Sequence, residues 1–110
     1  MATTYKVLAQ SNPSATTETT LYTVPSATST VVSTLAIANQ AGTAGTYRIA
    51  VRPSGQGSTT APNWIVYGAT VAANDSILLT LGLTLATGDK IQIYASSANM
   101  SFSAFGSEIA

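Results

Sequence analysis

The side chains able to do chemistry are few and far apart. Lys6, Arg48, Arg52 and Lys90 are the bases, Glu18, Asp75, Asp89 and Glu108 the acids, and there is no His and no Cys. Arg48 and Arg52 stand four apart, so an extended segment projects both from one face. A guanidinium fork matches a carboxylate through two parallel hydrogen bonds. The pair fits a carboxylate clamp across an interface, or a solvated strand face with cross-strand pairs. Asp75 and Asp89 each stand beside a turn residue, Asn74 and Gly88. If the two turns met they would offer oxygen ligands to calcium. Without the dense acidic spacing of a calcium loop they read as turn formers, and no metal is expected. Gly55-Gln56-Gly57 has the glycines of a phosphate cradle, yet Ser58-Thr59-Thr60-Ala61-Pro62 follows where a helix would have to begin. It reads as a flexible loop between strands.

Catalysis has little to work with. No Ser has a His to activate it, and few groups can exchange protons near neutral pH. Neither an enzyme nor a bound cofactor is expected. Without cysteine there is no disulfide framework. Charged residues make up 7% of the chain with zero net charge, against about a quarter in an ordinary soluble domain. Such a surface suits packing against other protein surfaces. Four bases balanced by four acids cannot supply the phosphate contacts of a nucleic-acid binder. No run approaches the roughly 20 apolar residues of a membrane helix, so neither nucleic acid nor membrane is an expected partner. No basic patch leads an apolar stretch after Met1, so no signal peptide is expected and production in a host cytoplasm follows. Asn74-Asp75-Ser76 and Asn99-Met100-Ser101 fit the N-glycosylation pattern, which has no consequence without export.

The elements that must position these groups are strands. Tyr47, Ile49 and Val51 alternate with Arg48, Ala50 and Arg52, and Ile91 and Ile93 with Lys90, Gln92 and Tyr94. Each reads as a strand with one buried and one wet face. Val31, Leu35 and Ile37 form another inward series. Gly, Pro, Asn and Asp punctuate the chain about every dozen residues. Between those breaks lie strands predicted at 4–10, 19–24, 29–39, 46–52, 63–69, 76–81, 90–96 and 100–106. Short strands so spaced predict an all-β fold, an antiparallel β-sandwich of about eight strands with jelly-roll-like topology. The expectation is one domain over residues 1–110, with 1–18 either an extended N-terminal arm or the first strand. Tyr67, Phe102 and one of Trp64 and Tyr94 are expected in the core. Trp64, beside Asn63 and after a Gly/Ser/Thr loop, is the only start for a sugar-stacking platform. The strand-like segment from Ala2 to Gln10 is suited to pairing with a neighbouring subunit's sheet edge. The candidate interface residues are Tyr5, Val7, Arg48, Arg52 and Trp64.

Ala2-Thr3-Thr4-Tyr5-Lys6-Val7-Leu8, then Thr20-Leu21-Tyr22-Thr23-Val24-Pro25, and a close on Ser101-Phe102 and Phe105-Gly106-Ser107-Glu108-Ile109 resemble small virion structural proteins of tailed bacteriophages. Tyr47-Arg48-Ile49-Ala50-Val51-Arg52-Pro53 and the Ala72-Ala73-Asn74-Asp75 turn extend the resemblance along the chain. It implies a multi-copy structural role and carries over no catalytic or metal-binding residue. The leading expectation is a capsid decoration, or cement, protein on the outer capsid surface. It would bind the major capsid protein or other virion subunits as a homo-oligomer, with a trimer favoured. The alternatives are a tail, collar or fibre-attachment component, an adhesive module that binds glycans through the 55–63 loop, and a fibre or pilus subunit.

Overall fold

Eight segments of alternating or β-branched sequence become strands in the computed structural model, which describes residues 2–110. They are β1 (Thr3–Ser11), β2 (Thr19–Thr23), β3 (Ser29–Asn39), β4 (Gly45–Arg52), β5 (Trp64–Val71), β6 (Ser76–Leu85), β7 (Lys90–Ala95) and β8 (Met100–Ile109). A single 3₁₀ turn, Ala61–Asn63, precedes β5. The strands form two antiparallel four-stranded sheets, β1-β8-β3-β6 and β2-β7-β4-β5. Only β4 and β5 are joined as a hairpin within one sheet; every other connection crosses between the layers. That is the strand order of a jelly roll, an arrangement of two Greek keys.

The core fills the space between the sheets. Leu35, Ile37, Phe102 and Met100 from one layer meet Tyr47, Ile49, Ile91 and Ile93 from the other, all buried. Tyr47 and Phe102 touch edge to face across the layers, with centroids 6.4 Å apart. At one end Asn39 is buried, its Nδ2 donating to Thr43 O at 2.9 Å and Val71 O at 3.1 Å, while Oδ1 accepts from Ala41 N at 3.0 Å. A polar group can sit inside because its bonding capacity is met. Near the β1 edge the Tyr22 hydroxyl lies 2.8 Å from Thr30 Oγ1 and donates to Glu108 Oε2, and Lys6 Nζ pairs with Glu108 Oε1 at 2.9 Å. Four strands from both sheets are tied by this network.

Bulges account for most departures from simple alternation. In β3, Val32 pairs with Gly106 and Thr34 with Phe105, leaving Ser33 as the extra residue. The inward series therefore runs Thr30, Val32, then Leu35 and Ile37, and Val31 faces out instead of in. β6 and β8 continue past their predicted ends at 81 and 106. Internal glycines argue against strands, but a Cβ on Gly106 would lie 2.0 Å from the Val31 carbonyl oxygen, so the close approach demands glycine there. Residues 3–11 form the first strand, the second of the two alternatives for the N-terminal segment, paired along the chain's own β8 from Thr3↔Ile109 to Ser11↔Phe102 and standing at the edge of its sheet. Met1 lies outside the described residues.

Candidate functional site

The two outward faces of the sandwich differ in chemistry. On β1-β8-β3-β6 the pairing registers place Tyr5, Ser107, Val31 and Thr84 in one outward row. Val7, Phe105, Thr34 and Thr80 form a second, and Gln10, Ser103, Ala36 and Leu78 a third. None of these side chains is charged. Tyr5 is 84% exposed and Leu78 66%, large values for apolar groups on a flat sheet. Tyr5, Val31, Ser33 and Phe105 border a depression of about 370 Å³ that Lys6, already paired with Glu108, also lines. Rows of Ser, Thr and Ala studded with aromatic and aliphatic groups shed water cheaply, because no charged side chain stands in them.

The outward face of β2-β7-β4-β5 carries three of the four bases: Arg48, Arg52 and Lys90. Arg48 pairs with Tyr94 on β7 and Tyr67 on β5. Its guanidinium carbon lies 4.1 Å from the Tyr67 ring centroid and 4.3 Å from that of Tyr94. A cation between two π faces gains about 0.5–2 kcal/mol per ring. Arg48 makes no side-chain hydrogen bond or ion pair among the described residues, so its donors stay free. Arg52 behaves differently. Its Nη1 donates to Gly57 O at 3.4 Å, and the Gln92 amide, oriented with its oxygen towards Arg52, accepts from Nη2 at 2.7 Å. Arg52 Nε is buried without a partner. The two arginines share a face, as their spacing predicts, but only Arg48 keeps its donors unspent; Arg52 gives its own to Gly57 and Gln92.

Trp64 stands beside this stack. Its ring meets that of Tyr67 at 73° with centroids 5.5 Å apart. Thr59, Thr60, Ala61, Trp64 and Tyr67 line a cleft of about 470 Å³. Trp64 and Tyr67 are three apart, a spacing that puts side chains on opposite faces of a regular strand. β5 pairs Trp64 with Ala50 and Val66 with Ile49, so Ile65 is bulged and both aromatics point outward. Tyr67 is 65% exposed, and neither Trp64 nor Tyr94 joins the core cluster; of the aromatics expected there, Phe102 alone is buried. Ala50 and Gln92, expected on a wet face, are buried on that face because Trp64 and Gln92 flank Ala50 across the strands and Thr20 bonds Gln92.

The five candidate interface residues therefore do not form one site. Arg48, Arg52 and Trp64 lie on one face, and Tyr5 and Val7 on the other. Sequence reasoning missed Tyr67 and Tyr94 as partners of Arg48. Tyr94 was legible, being in register with the polar face of β7; Tyr67 was hidden by the bulge. Asp75 and Asp89 lie at opposite ends of β6, about 30 Å apart by strand rise, so they share no ligand. Asp89 Oδ1 accepts from Ser54 N at 2.8 Å and Oδ2 from Ala86 N at 2.9 Å, while Asp75 Oδ1 accepts from Ser76 N at 2.8 Å. Both act as turn formers. The Gly55–Gly57 segment is a loop between β4 and the 3₁₀ turn.

No protein-family model and no characterised protein matches the sequence. The fold does resemble solved structures. A chain of the T13 IBDV viral particle superposes with a TM-score of 0.58 at 16% identity, over 97% of this chain and 29% of that one. A chain of infectious bursal disease virus, Gx strain, gives 0.56 at 14% identity, over 97% of this chain and 32% of that one. The protein thus spans about three-tenths of the chains it resembles, and the likeness is one of fold.

Proposed function

We propose that the protein is a non-enzymatic structural component of a virion. In this reading it is a bacteriophage decoration subunit that lies on the outer capsid surface and stabilises the shell through protein contacts. The observation that carries the reading is the set of uncharged outward rows on β1-β8-β3-β6, with Tyr5, Val7, Leu78 and Phe105 standing in them. Charged residues are depleted and aromatic residues enriched at the centres of protein interfaces. The jelly roll supports the assignment because that architecture recurs in viral shells, as in the two virus-particle chains above. The fold hosts many functions, so the reading is supported by the face and the phage-like sequence segments.

Mechanistically, each copy binds the assembled shell and not its dissociated subunits, and so favours the assembled state by linkage. Major capsid protein and further copies of this chain, favoured as trimers, are the partners. Tyr5 and Val7 belong to this contact surface.

The test is to quantify the protein in purified particles and locate it by imaging. Hundreds of copies over the shell are expected. A few copies at a vertex or tail would overturn the decoration role and reassign the protein to a collar, tail or fibre. Heating particles with and without it adds a mechanical check, with DNA released at lower temperature from bare shells.

A further inference from the structure

We propose that the Trp64–Tyr67 cleft and the Arg48 guanidinium beside it form a binding site for a carboxylate-bearing saccharide. The inference goes beyond the structural role above and does not rest on it, since it concerns the opposite face of the sandwich.

Arg48 is held but not satisfied. The Tyr67 and Tyr94 ring centroids lie 4.1 and 4.3 Å from its guanidinium carbon, and its N–H groups have no partner among the described residues. None of the four acids pairs with Arg48, and Glu18 stands at the Thr59 rim of the cleft. Glu108 pairs with Lys6 and Tyr22, Asp89 accepts from Ser54 N and Ala86 N, Asp75 from Ser76 N, and Glu18 from Thr59 Oγ1. A planar fork held against two aromatic rings, with its donors unspent, is pre-organised for an incoming carboxylate.

The neighbouring cleft adds the rest of the ligand's chemistry. Its volume of about 470 Å³ falls within the range of roughly 300–1,000 Å³ usual for small-ligand sites. Trp64 and Tyr67 make two of its walls, set at 73° to one another; the Thr59 and Thr60 hydroxyls donate to Glu18 and Asn63, which leaves their oxygens to accept from a sugar hydroxyl. A pyranose ring has an apolar C–H face to lay on an aromatic wall and a hydroxyl rim to meet threonines. Tyr67 belongs to both parts, lining the cleft and stacking on Arg48, so a sugar on the rings can place its carboxylate on the fork. An acidic peptide fits less well. An extended peptide binds by adding to a regular sheet edge, and the β5 edge is broken by bulges at Ile65 and Gly68, the latter with φ of 86°.

Trp64 is the only tryptophan, so its fluorescence reports the site directly. The protein would be titrated with trigalacturonate and with sialyllactose, with the methyl ester of each and with triglutamate as controls. Expected is a saturable change with at least one acidic saccharide, weakened about tenfold or more by esterification, as loss of a charge-assisted pair requires. Arg48→Gln and Tyr67→Ala should each weaken it by a similar factor, with Arg48→Lys between. Tyr67 is exposed, so its variant keeps the fold, which circular dichroism confirms. No saturable change with either saccharide, equal affinity for acid and ester, or triglutamate binding as tightly would each overturn the proposal. None of these outcomes bears on how many copies a particle carries.

Discussion

Tyr22→Phe removes a single oxygen from the network that joins β1, β2, β3 and β8. That oxygen donates to the Glu108 carboxylate and pairs with Thr30 Oγ1 at 2.8 Å. Thr30 is 1% exposed, so water cannot replace the lost partner. A hydrogen bond to a charged group contributes about 1.5–3 kcal/mol, and a buried hydroxyl left alone costs about 1–3 kcal/mol. Glu108 keeps Lys6 and some solvent contact, which offsets part of the loss. The expected destabilisation is about 2–4 kcal/mol, or a fall of roughly 8–16 °C in Tm at about 4 °C per kcal/mol for a domain of this size. Urea unfolding of wild type, Tyr22→Phe, Glu108→Gln and the double variant measures it, the cycle isolating the pair's coupling. The sign of the pH dependence follows from Glu108. Its carboxyl is held below the usual value of 4.5 by the Tyr22 hydrogen bond first and Lys6 second. That stabilisation is fully present above about 4.5 and is lost as pH falls through the folded-state value. The gap between wild type and Tyr22→Phe must therefore narrow in acid. A loss below about 0.5 kcal/mol at neutral pH, or a gap that persists undiminished in acid, would refute the network's role.

The same hydroxyl sets an alkaline limit. Burial first, then the bond to Glu108, pushes the Tyr22 pKa up from 10.0 to about 12; stability present below 10 should fall as pH rises through that window, and Tyr22→Phe should flatten this limb of a thermal-melt series. Gly106→Ala should cost about 3–5 kcal/mol in urea unfolding, because a Cβ 2.0 Å from a backbone oxygen forces strands apart. Thr80→Lys, on the neutral outward face, should leave stability within about 0.5 kcal/mol yet abolish binding to particles in a sedimentation assay. Attachment through that face should change little with ionic strength, whereas saccharide binding at Arg48 should weaken as salt screens the pair.

Strand positions were legible because the turn residues are unambiguous. Asp89 bonding Ser54 and Ala86, and Gly88 at φ 86°, are local chemistry that a sequence displays. Facing was less legible, because one bulged residue inverts everything after it. Ser33 reversed the reading of Val31 and Val32, and Ile65 brought Trp64 and Tyr67 to one face. Bulges answer to three-dimensional pairing and leave no fixed mark in composition. The role of Arg48 was half visible. Its pairing across β7 with Tyr94 follows from alternation, but the second ring arrives through the bulged edge strand.

The pairing of β1 with β8, and of β8 with β3, has a kinetic consequence. Of the eight strands β1 is made first and its partner β8 after the other six, so β1 has no neighbour in its sheet until Ile109 has been made. Nascent chains must wait with the apolar run of β6 uncovered, and closure over so long a loop places folding on the order of milliseconds to seconds. Chaperone capture during translation, and sensitivity of yield to growth temperature, are where that delay would be felt.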